Sequence, residues 1–177
     1  MKNLIFLSLF VLIATTLSSC EEPILTKTFE VKYTYEITVP ADTWISLPFD
    51  LFATEKESNL EQQFEINDTR KDLVEEVYLR NLWLEIESPE DENFRFLNSA
   101  SFYLDTESLP EELVAEKNPV PENAGDELNF DVRPVNLADF IKADAFDIRA
   151  NIVTDEERTR ATTIKGTAIF EIRAQIL

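Results

Sequence analysis

Phe29-Glu30-Val31-Lys32-Tyr33-Thr34-Tyr35-Glu36-Ile37-Thr38-Val39 alternates apolar and polar residues over eleven consecutive positions. Side chains of an extended chain point to opposite faces in turn, so this period of two predicts one long strand with a buried and a solvated face. A second stretch near the C-terminus repeats the pattern: Ile164, Ala168, Phe170, Ile172, Ala174 and Ile176 share one parity, with Lys165, Thr167, Glu171, Arg173 and Gln175 on the other. Gly166 falls on the apolar parity, where it marks a bulge or a close approach of another backbone.

Working inward from these ends, further strands are expected at about 45–52, 74–87, 100–105, 113–116, 128–132 and 146–153. Pro48 in the first of them points to a sheet edge. Within 74–87, Val77 and Leu79 lie on one parity but Leu82, Leu84 and Ile86 on the other, so the inward face must switch near Arg80 and Asn81, as at a bulge. Short helical turns fit 59–66, 71–75 and 136–143; in the last, Asn136 can cap while Leu137, Phe140 and Ile141 share a face. Half-buried strands with few helical residues indicate an all-β fold, an antiparallel β-sandwich of seven or eight strands, immunoglobulin-like or jelly-roll-like. A partly closed barrel is the second choice. No repeat or linker divides residues 27–177, which read as a single domain of ordinary size.

The first twenty residues have a different character. Met1 and Lys2 precede the apolar run from Leu4 to Ala14, which is too short for a bilayer span of roughly 20 residues and has the length of a signal h-region. Where an ordinary secretory signal ends in an Ala-x-Ala site, this chain has Leu17-Ser18-Ser19-Cys20. That run resembles the lipobox of bacterial lipoproteins. The resemblance covers residues 1–20 only, and no family is recognised for the rest. It implies that residues 1–19 are removed, that the Cys20 sulfur carries diacylglycerol, and that the new amino group is acylated, with palmitate-type chains. Residues 20–26 are then the lipidated cysteine and a tether, and the expected location is the cell envelope, anchored to the outer membrane on its periplasmic face or at the cell surface. Glu21-Glu22 resembles the acidic surface-export signals of Bacteroidota-type lipoproteins, although an acidic chain often places two carboxylates together.

Charge and missing residue types bound the function. With 35 acidic and 16 basic side chains the net charge is −19, which argues against nucleic acid and against flat docking on anionic headgroups. The chain has no histidine, which removes the Ser-His-Asp and Cys-His arrangements, and lipid on Cys20 consumes the one cysteine. Its two glycines, Gly125 and Gly166, are too few for a phosphate-cradling loop. No catalytic residue, cofactor or metal ligand is nominated. A carboxylate-pair hydrolase needs only two acids and is kept as the last alternative. Glu90-Asp91-Glu92-Asn93, Asp155-Glu156-Glu157 and Asp126-Glu127 offer oxygen ligands for calcium, but none has EF-hand spacing and solvated turns are the plainer reading. Trp44 and Trp83 suggest sugar stacking, against which a role in covering the core weighs more. Asn67-Asp68-Thr69 matches a glycosylation acceptor, an uninformative match in a bacterial lipoprotein. The expectation is a non-catalytic envelope interaction or structural module with an envelope protein as partner; the alternative is a carbohydrate or small-ligand binder.

Overall fold

A computed structural model describes residues 25–41, 57–143, 146–154 and 159–177. The expected strand at 45–52, with Trp44 and Pro48, lies outside the described residues, as do Cys20, Glu21, Glu22 and the 155–157 cluster. The two long alternating stretches meet directly. β1 (Thr26–Val39) pairs antiparallel with β8 (Thr162–Gln175) from Thr26↔Gln175 to Val39↔Thr162 with no slip. β8 also pairs with β2 (Val74–Ser88), and β2 with β5 (Glu127–Asn129), giving one sheet in the order β1-β8-β2-β5. The second sheet runs β6-β4-β3-β7, from β3 (Leu97–Asp105), β4 (Glu112–Lys117), β6 (Asp131–Val132) and β7 (Asp147–Thr154). The fold is an antiparallel β-sandwich. Its first and last strands are neighbours and its chain crosses repeatedly between sheets, the winding of a jelly roll.

Alternation places the core. Val31, Val77, Leu79, Ile86, Ile164, Phe170 and Ile172 of the first sheet meet Phe102, Leu104, Val114, Ala115, Ile148 and Ala150 of the second, all buried. The parity switch in β2 has the expected cause: the register slips between Leu79 and Asn81, throwing Arg80 outward, where it pairs with Glu171 and lies over the Tyr78 ring. Tyr33 packs edge-on against Phe170 at 5.7 Å, and burial pushes its phenol up to about 12.

The 128–132 strand needs correction. It is two strands in different sheets, β5 against β2 and β6 against β4, joined by buried Phe130. Phe130 N–H still donates to Leu82 O at 2.9 Å, while its ring stands edge-on to Phe102 at 5.0 Å. The residue therefore bridges both layers.

Gly166 sits in unbroken register between Tyr35 and Leu84, so it marks no bulge. It faces an apolar void of about 50 Å³ bounded by Leu84, Phe102 and Ala168, where small residues of β8 leave the inter-sheet space incompletely filled. A Cβ added there would meet Leu84 Cδ2 at 3.3 Å, and Leu84 borders the void and has room to yield. Gly166→Ala is expected to raise stability by about 0.5–1 kcal/mol through lost chain entropy in the unfolded state; a lowered urea midpoint would show that Leu84 cannot move. Thr162 is fully buried with an Oγ1 that has no hydrogen-bond partner among the described residues. Thr162→Val keeps the shape, removes the stranded hydroxyl and is expected to stabilise by about 1 kcal/mol in the same assay.

Candidate functional site

The chain enters the sandwich at the end of the molecule where Thr26 faces Gln175, and several distant segments converge there. Helix α1 (Glu57–Ile66) turns Leu60 and Phe64 inward, four residues apart on one face, with Phe64 edge-on to Phe29 at 6.5 Å. It stops where Asp68 adopts a left-handed φ of 56°, a conformation its short side chain tolerates, and Asn67 Nδ2 closes back on Gln63 O at 2.8 Å. Thr69 is buried and its hydroxyl donates to Gln175 O at 2.6 Å, so that hydroxyl is engaged in holding the loop to β8. A 3-10 turn, Lys71–Leu73, then leads into β2. The short helix α2 (Ala138–Lys142) packs alongside, and Lys71 Nζ donates to Ala143 O.

Between these elements opens a surface cleft of about 500 Å³ over Phe64, walled by Glu61, Glu65 and Asp72 and by Arg70, Lys71 and Lys142. Three cations in one cleft are notable in a chain of net charge −19. Arg70 is held by Asp72 at 2.7 Å. Three exposed apolar side chains stand at the same end: Leu177 is 75% exposed, and Leu25 and Ile66 are each 63% exposed. Backbone hydrogen bonds fix their grouping, because Ile176 N–H donates to Leu25 O at 3.0 Å and Leu177 N–H to Asp68 O at 2.8 Å, two residues beyond Ile66. No single stretch of sequence signals this assembly.

The residues singled out from sequence are dispersed. Trp83 lies half-buried on the outer face of β2, opposite Thr167 of β8, and Lys32 Nζ sits 5.8 Å from its ring centroid. The Trp83 face is thus partly occupied by a lysine. In the 90–93 cluster, Arg160 Nη1 lies 2.9 and 3.2 Å from the two Asp91 oxygens and Arg160 Nη2 lies 3.6 Å from Glu92, so a guanidinium fills the place a cation would take. Asn93 is spent on capping, accepting from Arg95 N–H at 3.1 Å. Glu127 accepts from Asn129 Nδ2 at 2.9 Å, and Asp126 O from Ile86 N–H at 2.8 Å, which ties that pair to the β2–β5 ladder. Among the described residues no group of three or more acidic or cysteine side chains is arranged to hold a metal ion.

The hydrogen bond from Arg160, then Asp91's own backbone N–H and the nearby charge, hold the Asp91 carboxyl below its ordinary value. A carboxyl depressed in the folded state contributes stability that is present above the unfolded value of about 3.9 and is lost as pH falls through the lower folded value. Asp91→Asn is therefore expected to flatten the loss of urea stability below about pH 4; identical pH profiles for the two proteins would contradict it.

No family model matches the chain, and no curated protein matches it. Among solved structures, the chain is similar to the acidic stable capsid structure of Helicobacter pylori bacteriophage KHP30, at 7% identity and a TM-score of 0.36, covering 85% of this chain and 99% of that one. It is also similar to the subviral particle of infectious bursal disease virus VP2, at 8% identity and a TM-score of 0.35, covering 92% of this chain and 42% of that one. Likenesses at this level carry no argument about function.

Proposed function

We propose that this chain is a bacterial lipoprotein, anchored to the outer membrane through acyl chains on Cys20, whose acidic β-sandwich serves as a non-catalytic interaction or structural module of the cell envelope. The observation that carries the reading is the short path from the lipobox to the domain. β1 begins at Thr26, six residues after Cys20, and is then paired along its whole length with β8. An anchor pulling on this chain would load the longest unbroken ladder of the sandwich. Two or more acyl chains hold a protein firmly where one of myristoyl length does not. The outer faces of both sheets carry paired charge, as in Arg173 with Glu75 and Glu76 or Arg133 with Glu116, a surface suited to polar recognition of another envelope protein.

The test is crosslinking on intact cells, with capture through the mature domain and Cys20→Ala as the comparison. The expected result is a wild-type chain in the membrane fraction crosslinked to an envelope protein, and a Cys20→Ala chain released from the membrane and from that partner. A Cys20→Ala chain that stays with the membrane would overturn the anchor, and capture of no protein would overturn the interaction role.

A further inference from the structure

We propose that the tether end of the sandwich rests on the phospholipid surface, with Leu25, Ile66 and Leu177 in the interfacial layer and the head of Lys142 among the lipid phosphates. This rests on the lipid attachment of Cys20 proposed above. The first support is reach: the five residues from Cys20 to Leu25 span at most about 18 Å when fully extended. With acyl chains on Cys20, the end of the domain bearing Leu25 cannot stand far from the bilayer. The second is chemistry. The most exposed large apolar side chains among the described residues, Leu25, Ile66 and Leu177, come from three separate segments and are fixed together at that end by the hydrogen bonds Ile176 N–H to Leu25 O and Leu177 N–H to Asp68 O.

Apolar side chains at the boundary of headgroup and acyl chain gain by leaving water. Long cationic side chains suit the same layer, laying their stems along apolar surface while their charges reach phosphate. Glu61, Glu65 and Asp72 share the cleft with the three cations, so the end is mixed in charge and fits a zwitterionic surface better than an anionic one. Among the described residues the opposite end is more polar: there the turns after β2 carry the Asp91–Arg160 pair and the exposed Pro121 to Asn123 loop, with Val153 the one exposed large apolar side chain nearby. The sandwich would thus stand on the membrane by one end and present its strand faces to the side.

The test uses the full lipidated chain in phosphatidylcholine vesicles. Lipid on Cys20 leaves no other thiol, so Ile66→Cys and, separately, Glu122→Cys each accept one environment-sensitive fluorophore. Position 66 is exposed at the tether end, and position 122 is exposed in the loop that Gly125 O ties to Phe94 N–H at the far end. The expected result is emission at shorter wavelength and shielding from aqueous iodide at position 66 alone. If the intact mass shows lipid on Cys20 yet the label at 66 reports water, this inference falls and the anchor stands. Equal shielding at 66 and 122 would mean the domain lies on its side, and also overturns it. An intact mass without lipid, with label appearing on Cys20 as well, brings down both readings together.

Discussion

Phe94→Ala is expected to cost about 3–5 kcal/mol of stability, read as a fall in the urea midpoint at unchanged slope. Phe94 is completely buried in the 3-10 turn that links β2 to β3, with its ring 6.1 Å from that of Phe96. It already borders an apolar void of about 40 Å³ shared with Val39, Ile152 and Ile164. Truncating the ring would enlarge that void instead of letting the surroundings close, which places the cost toward the upper part of the range. Domains of this size are stable by roughly 5–15 kcal/mol, so one substitution would remove about a fifth of the total or more. Phe94→Leu keeps most of the volume and should cost less than half as much. A loss below about 1 kcal/mol for the alanine variant would mean that the turn does not close the end of the core.

The second large effect is expected at Asn136. Its Oδ1 accepts from Val77 N–H at 3.0 Å and from Ala138 N–H at 3.1 Å, joining β2 to the first turn of α2. Val77 lies just past the slip in register between Val74 and Glu76, and its side chain has no exposure at all. Asn136→Ala strands that amide, at about 1–3 kcal/mol, and removes the side-chain acceptor of Ala138 N–H at the start of α2, a bond worth about 1 kcal/mol. A combined loss of about 2–3 kcal/mol is expected in urea unfolding, allowing for the coupling of the two bonds. Amide hydrogen exchange gives an independent reading. Val77 and Ala138 should exchange faster by more than the global destabilisation explains, while Ile172 should follow the global change. Uniform acceleration would show that Asn136 is not a local clasp.

What could be read in the sequence depended on whether its cause was local. β1 and β8 were legible because every second residue is apolar for many positions, and the slip at Arg80 because it exchanges the inward parity between Leu79 and Leu82. A cap at Asn136 was expected from position, but the N-cap is Leu137, one residue on; Asn136 accepts from Ala138 N–H beside it, and its bond to Val77, 59 residues away, left no trace in the sequence. Phe130 gave no sign of a sheet crossing because a strand that passes from one layer to the other can keep its alternation. The 90–93 cluster was ambiguous for a related reason: the partner that meets its charge, Arg160, arrives from 69 residues away through tertiary structure. The same holds for the tether end, where Leu25, Ile66 and Leu177 are unremarkable singly and informative only as neighbours.

The passage of the chain through Phe130 limits how the two layers can move. Sandwich sheets with no shared backbone can glide over one another with little more than side-chain rearrangement, but here a single peptide run is hydrogen-bonded into both, to Leu82 on one side and, through Arg133 N–H at 2.8 Å, to Val114 on the other. Gliding would have to tear one of these seams. A pull applied to β1 would therefore be passed to the second layer along covalent bonds at the β5–β6 side, and the domain should respond to it as one solid block.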